Sequence, residues 1–216
     1  MPVDREASGS LCIDFVNALP VPHIAISTLG APFEIETICA SDDVAAYLDE
    51  TQLDSGVGPC WRARDTASPV LLPDLRQDAP TAWPVFLAAA ARHGISSVYA
   101  FPMAVGLVDV GVVNLYATGV HALTVDQVDE AARLADSAGQ RILRTALDGL
   151  DGLDDDSSTN ASPRRFVHQA TGMVVAQLRV APDDALLVIR AHAFASGRSV
   201  REVAEAIISR DIDFSV

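Results

Sequence analysis

The punctuation of residues 162–214 leaves that stretch few folds to choose from. SPRRFVHQATGMVVAQLRVAPDDALLVIRAHAFASGRSVREVAEAIISRDIDF is cut by proline and glycine into three segments, each with an apolar stripe at helical spacing. Ser162 and Pro163 fit the cap and first position of a helix in which Phe166, Val167, Ala170, Met173, Val174 and Leu178 share a face. Pro182 opens a second helix, with Asp183 and Asp184 at the positive end of its dipole and Ala185, Val188, Ile189, His192 and Ala193 as its inner stripe. Gly197 ends it, and Ser199 with Glu202 makes a capping box for a third, whose apolar face is Val203, Ala204, Ile207 and Ile208. The pattern predicts a small three-helix bundle. Gly172 sits in the middle of the first helix, where glycine costs roughly 1 kcal/mol relative to alanine. Something should therefore come close to the backbone there: an adjacent helix crossing tightly on one reading, a ligand or nucleic-acid backbone on the other.

The run HQATGMVVAQL followed by DDALLVIRAHAFASGRSVREVA resembles the ANTAR domain of transcription antiterminators, whose pattern centres on Ala-x-Gly-hydrophobic in the first helix. Ala170, Gly172 and Met173 match that piece, and Ala185, Leu187, Arg190, Ala193, Arg198, Val203, Ala204 and Ile208 match later positions. The resemblance implies binding of paired hairpins in nascent messenger RNA, as a dimer, so that a terminator cannot form. Thr171 stands where many members carry lysine.

A net charge of −14 is unusual for a nucleic-acid binder, because phosphate contacts normally supply much of the affinity. The distribution resolves this. Residues 162–216 hold seven arginines against six acids, about +1, which leaves −15 on the rest. The bundle is the one region that RNA is not driven from, and its arginines can both fork onto phosphate and stack on bases. The same split is compatible with an acidic sensing side that holds RNA away until a signal moves the bundle.

The preceding residues alternate between strand and helix patterns. Residues 8–18 read as a helix capped by Ser8 or Ser10, with Leu11, Phe15 and Ala18 inward. HIAIST (23–28) and FEIETICA (33–40) read as strands joined through Gly30, Ala31 and Pro32, followed by a helix capped within Ser41, Asp42 and Asp43. Then come a loop with a helical turn, a short strand at 70–72, a helix from Trp83 to His93, and strands at 96–105 and 107–118 about Gly106. This order predicts an α+β fold in which helices pack on an antiparallel sheet. Residues 8–147 resemble a GAF domain, most recognisably at Gly56-Val57-Gly58-Pro59-Cys60, Pro69-Val70 and Pro73-Asp74-Leu75. That resemblance implies a small-molecule or partner-sensing role.

From Val125 to Leu147 the pattern is helical, and Val128, Ala132, Ala135, Gly139, Ile142 and Ala146 follow the spacing of a coiled-coil seam. The expectation is a homodimer through this helix, with packing on its own sheet accounting for part of the pattern. Residues 148–161 are acidic and polar without apolar period and read as a flexible linker. The domains are then 8–147, sensing, and 162–216, RNA-binding.

No catalytic motif is present: GxSxG, GxxxxGK[ST], GxGxxG and HExxH are all missing, and His23, His93, His121, His168 and His192 are scattered without metal-ligand spacing. The chain reads as a non-enzyme without cofactor or metal. The one enzymatic alternative is a redox role for Cys60, against the commoner inert buried thiol. Cys12, Cys39 and Cys60 are odd in number and widely spaced, which argues against a disulfide framework and for a reducing compartment. With no secretion signal and no membrane span, the expected location is the cytoplasm.

Tyr47, Trp61, Phe86, Tyr99 and Phe101 are the candidate linings of a ligand pocket, against the commoner reading of each as ordinary core. The candidate RNA contacts are Arg164, Arg165, His168, Gln169 and Thr171 on the first helix, with Arg198 and Arg201 at the third. Arg190 reads as a structural tie. The sequence thus points to a signal-responsive antitermination regulator that binds hairpin RNA. The rivals are a protein-interaction or dimerisation module and a helix-turn-helix DNA binder, although Glu202 and Glu205 occupy what would be the recognition helix.

Overall fold

A computed structural model describes residues 5–151, 165–196, 198 and 200–214. The chain divides into two compact units, Met1–Asn160 and Ala161–Val216. The first contains α1 (Arg5–Ala18), β1 (His23–Thr28), β2 (Glu36–Ala40), α2 (Asp43–Ser55), α3 (Pro59–Thr66), β3 (Val70–Leu72), α4 (Leu75–Asp78), α5 (Pro84–Arg92), β4 (Ser97–Val105), β5 (Val108–Ala117) and α6 (Val125–Asp151). The second contains α7 (Arg165–Leu178), α8 (Pro182–Ser196) and α9 (Val200–Ile208). Among the described residues no helix is long and apolar enough to cross a membrane.

The five strands form one sheet in the order β2-β1-β5-β4-β3, with every neighbouring pair antiparallel. Successive side chains of a strand point to opposite faces, so a sheet covered on both sides needs apolar residues at every position. The central strands meet that demand. Val98, Ala100, Val112 and Tyr116 join Leu48, Leu53, Ala63, Trp83 and Phe86 in a core beneath α2, α3 and α5. Tyr99, Phe101, Met103, Val113 and Leu115 join Leu11, Phe15, Ala131, Ala135, Ala138 and Ile142 in a second core beneath α1 and α6.

Several expectations are corrected. Strand β2 begins at Glu36 rather than residue 33, because residues 30–35 form a turn. There the Phe33 amide donates to the Gly30 carbonyl at 3.0 Å, and the Thr28 hydroxyl donates to the Glu34 carbonyl at 2.6 Å. What read as a loop with a helical turn is the two-turn helix α3, started by Pro59 behind Gly58. Helix α6 runs to Asp151, so the opening residues of the expected linker are helical; its remainder, from 152, lies outside the described residues.

The stripe expected to be a dimer seam faces the sheet instead. Ala135, Gly139 and Ile142 are buried, and a Cβ built on Gly139 would stand 3.2 Å from the Cβ of Met103. The small residues that would let two helices approach here let α6 approach β4. Heptad-like spacing and the spacing of a helix lying on a sheet are the same over three turns, which is why the sequence alone did not separate them.

The cysteine expectation is also overturned. Cys12 of α1 and Cys39 of β2 are joined by a disulfide, with Cα atoms 6.2 Å apart. Their separation of 27 residues hides a local contact, since α1 folds back along the edge strand.

Helix α2 shows how local chemistry sets an element. Asp42 is its N-cap, with Oδ1 accepting from the Ala45 amide at 2.9 Å and Oδ2 2.9 Å from His23 Nδ1 on β1. Partial burial acts to raise the Asp42 pKa, but the Ala45, His23 and Ser41 hydrogen bonds together outweigh it, and the carboxyl lies below its ordinary value. A depressed carboxylate contributes stability that is present above its unfolded pKa and is lost as pH falls through the folded one, here below about pH 4. Asp42→Ala is expected to cost about 1 kcal/mol at neutral pH, with the difference from wild type shrinking in acid. Urea unfolding of the two chains at several pH values checks it.

Candidate nucleic-acid interface

Three helices make up the described part of the C-terminal unit; Ser162, Pro163, Gly197 and Ser199, expected at its helix boundaries, lie outside the described residues. Val167, Ala170 and Val174 of α7, Ala185, Ile189 and Ala193 of α8, and Val200, Val203, Ala204 and Ile207 of α9 form one core. After α9 the chain turns back: the Phe214 amide donates to Gln177 Oε1 at 3.2 Å, and the Phe214 ring meets His192 edge to face at 5.6 Å. With its apolar stripe inside, α7 turns His168, Gln169, Gly172 and Ala176 outward.

Gly172 is the unexpected member of that face. Among the described residues no helix crosses it: a Cβ built on Gly172 meets nothing within 4 Å. The opposite side of the same turn is tightly packed through Ala170 and Val174. Seven residues further on, about two turns at 1.5 Å per residue, Arg179 ends the helix in a left-handed conformation (φ 56°) with its amide donating to the Val175 carbonyl at 2.8 Å. The Arg179 side chain is exposed, and no carboxylate is paired with it among the described residues. Positions 165, 172 and 179 follow one another by two turns, so the helical repeat puts an arginine position at each end of the face that Gly172 flattens.

The other candidates are placed differently. Arg164 lies outside the described residues, and Arg165 opens α7. Thr171 is half-buried and its hydroxyl donates to the Val167 carbonyl at 2.7 Å, so it is turned along its own helix. Arg198 and Arg201 are exposed but engaged locally, Arg198 Nη2 with the Glu202 carbonyl at 2.7 Å and Arg201 Nε with Glu205 Oε1 at 3.0 Å. Such solvent-facing i,i+4 pairs hold weakly and can give way to a phosphate. Arg190 of α8 is half-buried. Sequence reading missed Arg179, whose signal was its fourteen-residue spacing from Arg165 through Gly172.

In the sensing unit the five aromatic candidates do not line one pocket. Phe86 is buried in the α2 to α5 core, with Trp61 packed at its margin, whereas Tyr99 and Phe101 are buried on the opposite face of the sheet. Trp61 is already used: its Nε1 donates to the Gln52 carbonyl at 2.8 Å and the Arg64 guanidinium lies 4.7 Å from its ring. Tyr47 is on the surface with its ring 5.0 Å from His93.

A buried polar cluster occupies that region instead. Asp49, 0 % exposed, accepts hydrogen bonds from Ser27 Oγ at 2.6 Å, Thr37 Oγ1 at 2.5 Å and Asn114 Nδ2 at 2.9 Å. One turn later Gln52 donates to the Tyr116 hydroxyl and accepts from the Cys60 amide, each at 2.9 Å. A Cβ on Gly58 would come within 2.7 Å of Gln52 Oε1, and its φ of 145° suits only glycine, which accounts for the Gly-Val-Gly-Pro-Cys run. Burial, with the Asp49 charge adding to it, pushes the Cys60 thiol well above its ordinary pKa, and Tyr116 is raised for the same reasons. A thiol held protonated and fully buried is a poor nucleophile. Among the described residues no cluster of His, Cys, Asp and Glu could hold a metal ion.

Comparison with known proteins agrees with this division. The GAF domain family model matches residues 23–143 and the ANTAR domain family model residues 158–208. No curated protein matches the chain. Similar solved structures include a domain from Sinorhizobium meliloti 1021 assigned to a two-component sensor histidine kinase protein (12% identity, 70% of this chain and 98% of that one, TM-score 0.57). A GAF domain region from Geobacter sulfurreducens PCA is similar at 14% identity (65% and 93%, TM-score 0.53), and the GAF domain of the cyanobacteriochrome TePixJ at 13% (67% and 92%, TM-score 0.52). At these identities the likeness is one of fold. The chain belongs to the GAF domain family and carries an ANTAR domain behind it, the architecture of a signal-sensing regulator with an RNA-binding antitermination module.

Proposed function

We propose that the protein prevents transcription termination by binding hairpin RNA in nascent transcripts across the exposed face of α7, under control of a small-molecule or protein signal received by the GAF unit. The observation that carries this reading is Gly172: a mid-helix glycine with open space where a side chain would be, so that no neighbour among the described residues accounts for it. A missing side chain on a convex helix leaves a smooth floor on which a phosphate backbone or a splayed base can rest. His168 and Gln169 stand beside that floor, and the positions of Arg165 and Arg179 bracket it. The acidic remainder of the molecule favours this surface as the place of approach.

Self-association, which the ANTAR resemblance implies, would use a surface other than the inward stripe of α6, which the sheet fills. The test is binding of a two-hairpin leader RNA by the full chain across a salt series, beside duplex DNA of the same length. Arg165→Ala is expected to weaken RNA binding and reduce the slope of log K against log salt by about 1, and His168→Ala to weaken it with less change of slope. Unchanged affinity in both variants, or equal binding to duplex DNA, overturns the interface.

A further inference from the structure

The Cys12–Cys39 pair has no part in the reading above, and its placement is specific. Cys12 is 3 % exposed on the inner side of α1, and Cys39 is half-buried on edge strand β2. The neighbouring residues of α1, namely Leu11, Phe15 and Leu19, lie in the core that also contains Ala131, Ala135, Ala138 and Ile142 of α6. An ion pair between the two helices, Asp14 with Arg141 at 2.9 Å, is exposed on both sides and therefore weak. Helix α1 is thus held on one flank by the disulfide and on the other by apolar contact with α6, the helix through which the chain leaves the sensing unit. Both faces of the sheet carry full apolar cores, so this unit is not one of the small core-poor scaffolds that need a covalent staple to fold.

We propose that Cys12 and Cys39 form a reversible thiol–disulfide switch, in which oxidation pins α1 to the sheet edge and reduction loosens α1 and, with it, the packing of α6. The accessible partner is Cys39 and the sheltered one Cys12. Attack of the Cys39 thiolate on a low-molecular-weight disulfide RSSR forms a Cys39–SR mixed disulfide and expels RS⁻. The Cys12 thiolate then attacks the Cys39 sulfur, closing the protein disulfide and expelling the second RS⁻. Overall two thiols are oxidised, RSSR is reduced to two RSH, and a dithiol reductant reverses the exchange. The reduced state is also provided for, because the Cys12 sulfur lies 3.8 Å from the Ile24 carbonyl oxygen, an acceptor for its S–H. Cys60 does not compete, being fully buried on the opposite face of the sheet.

The test uses the full-length wild-type chain equilibrated with glutathione redox buffers, with free thiols counted by alkylation and mass spectrometry and amide hydrogen exchange followed in both states. The expected result is a two-electron transition in which Cys12 and Cys39 become protected together and Cys60 does not. Amide exchange in α1 should be about tenfold or more faster in the reduced chain, with a smaller acceleration in α6. Cys39→Ser should give the reduced-state pattern whatever the buffer. Failure of the bond to form with excess oxidised glutathione, or identical α1 and α6 exchange in the two states, overturns the switch. RNA is absent from this measurement, so its outcome is separate from that of the RNA-binding experiment.

Discussion

Replacing Gly172 by leucine is expected to leave the C-terminal unit folded and at least as helical as wild type, while lowering affinity for a two-hairpin RNA about tenfold or more, equivalent to some 1.4 kcal/mol. The two effects are predicted together because their causes are separate. Leucine is a far better helix former than glycine, and space is open at this position, so the substitution should stabilise α7 by up to about 1 kcal/mol. Its side chain would stand up from the middle of the face that the RNA backbone is proposed to lie against. Gly172→Ala should show most of the stability gain with less loss of binding. Circular dichroism melts and fluorescence anisotropy with labelled RNA separate the readouts. Wild-type affinity in the leucine chain would remove this face of α7 from the interface.

The largest loss of stability is expected from Asp49→Ala in the sensing unit. The carboxylate is fully buried and takes hydrogen bonds from Ser27 on β1, Thr37 on β2 and Asn114 on β5. Alanine would strand three donors away from water, each at a cost of roughly 1–3 kcal/mol, and a total of about 3–5 kcal/mol is expected even if the site relaxes. That is a large part of the 5–15 kcal/mol that holds a typical domain together. Asp49→Asn keeps the shape and one acceptor oxygen but faces an N–H toward the donors, so an intermediate loss should result. The chain has two tryptophans, Trp61 and Trp83, both in this unit, so urea unfolding followed by their fluorescence reports it selectively. A shift below about 1 kcal/mol for Asp49→Ala would show that the cluster does not hold α2 to the sheet.

What could be read from the sequence was what short-range pattern encodes. Strand β3 and the start of α8 at Pro182 came from proline and β-branched runs, and the inner stripes of α7, α8 and α9 from period alone. In the C-terminal unit His168 and Gln169 fall on the outward side that helical spacing assigns them. Long-range facts were not legible. Ser27, Thr37, Asp49 and Asn114 are ordinary polar letters until four elements meet. Nothing in residues 12 and 39 says that α1 doubles back along an edge strand. Tyr99 and Phe101 looked like pocket residues beside Phe86 because strand parity relative to the helices is not written in composition. Gly172 was recognised as needing a reason, but the one that packing would have supplied is missing among the described residues.

The two cores of the sensing unit share no side chains, and the sheet lies between them like a partition. A stimulus arriving around Asp49 and Gln52 therefore has no direct route through touching side chains to α6. It reaches that helix through the backbone of the strands, as when β4 and β5 slide or change their twist and carry Tyr99, Phe101 and Met103 with them. Signal relay in this protein should accordingly be sought in strand displacement, visible as changes in the amide shifts of residues 97–117 before any change in the helix behind them.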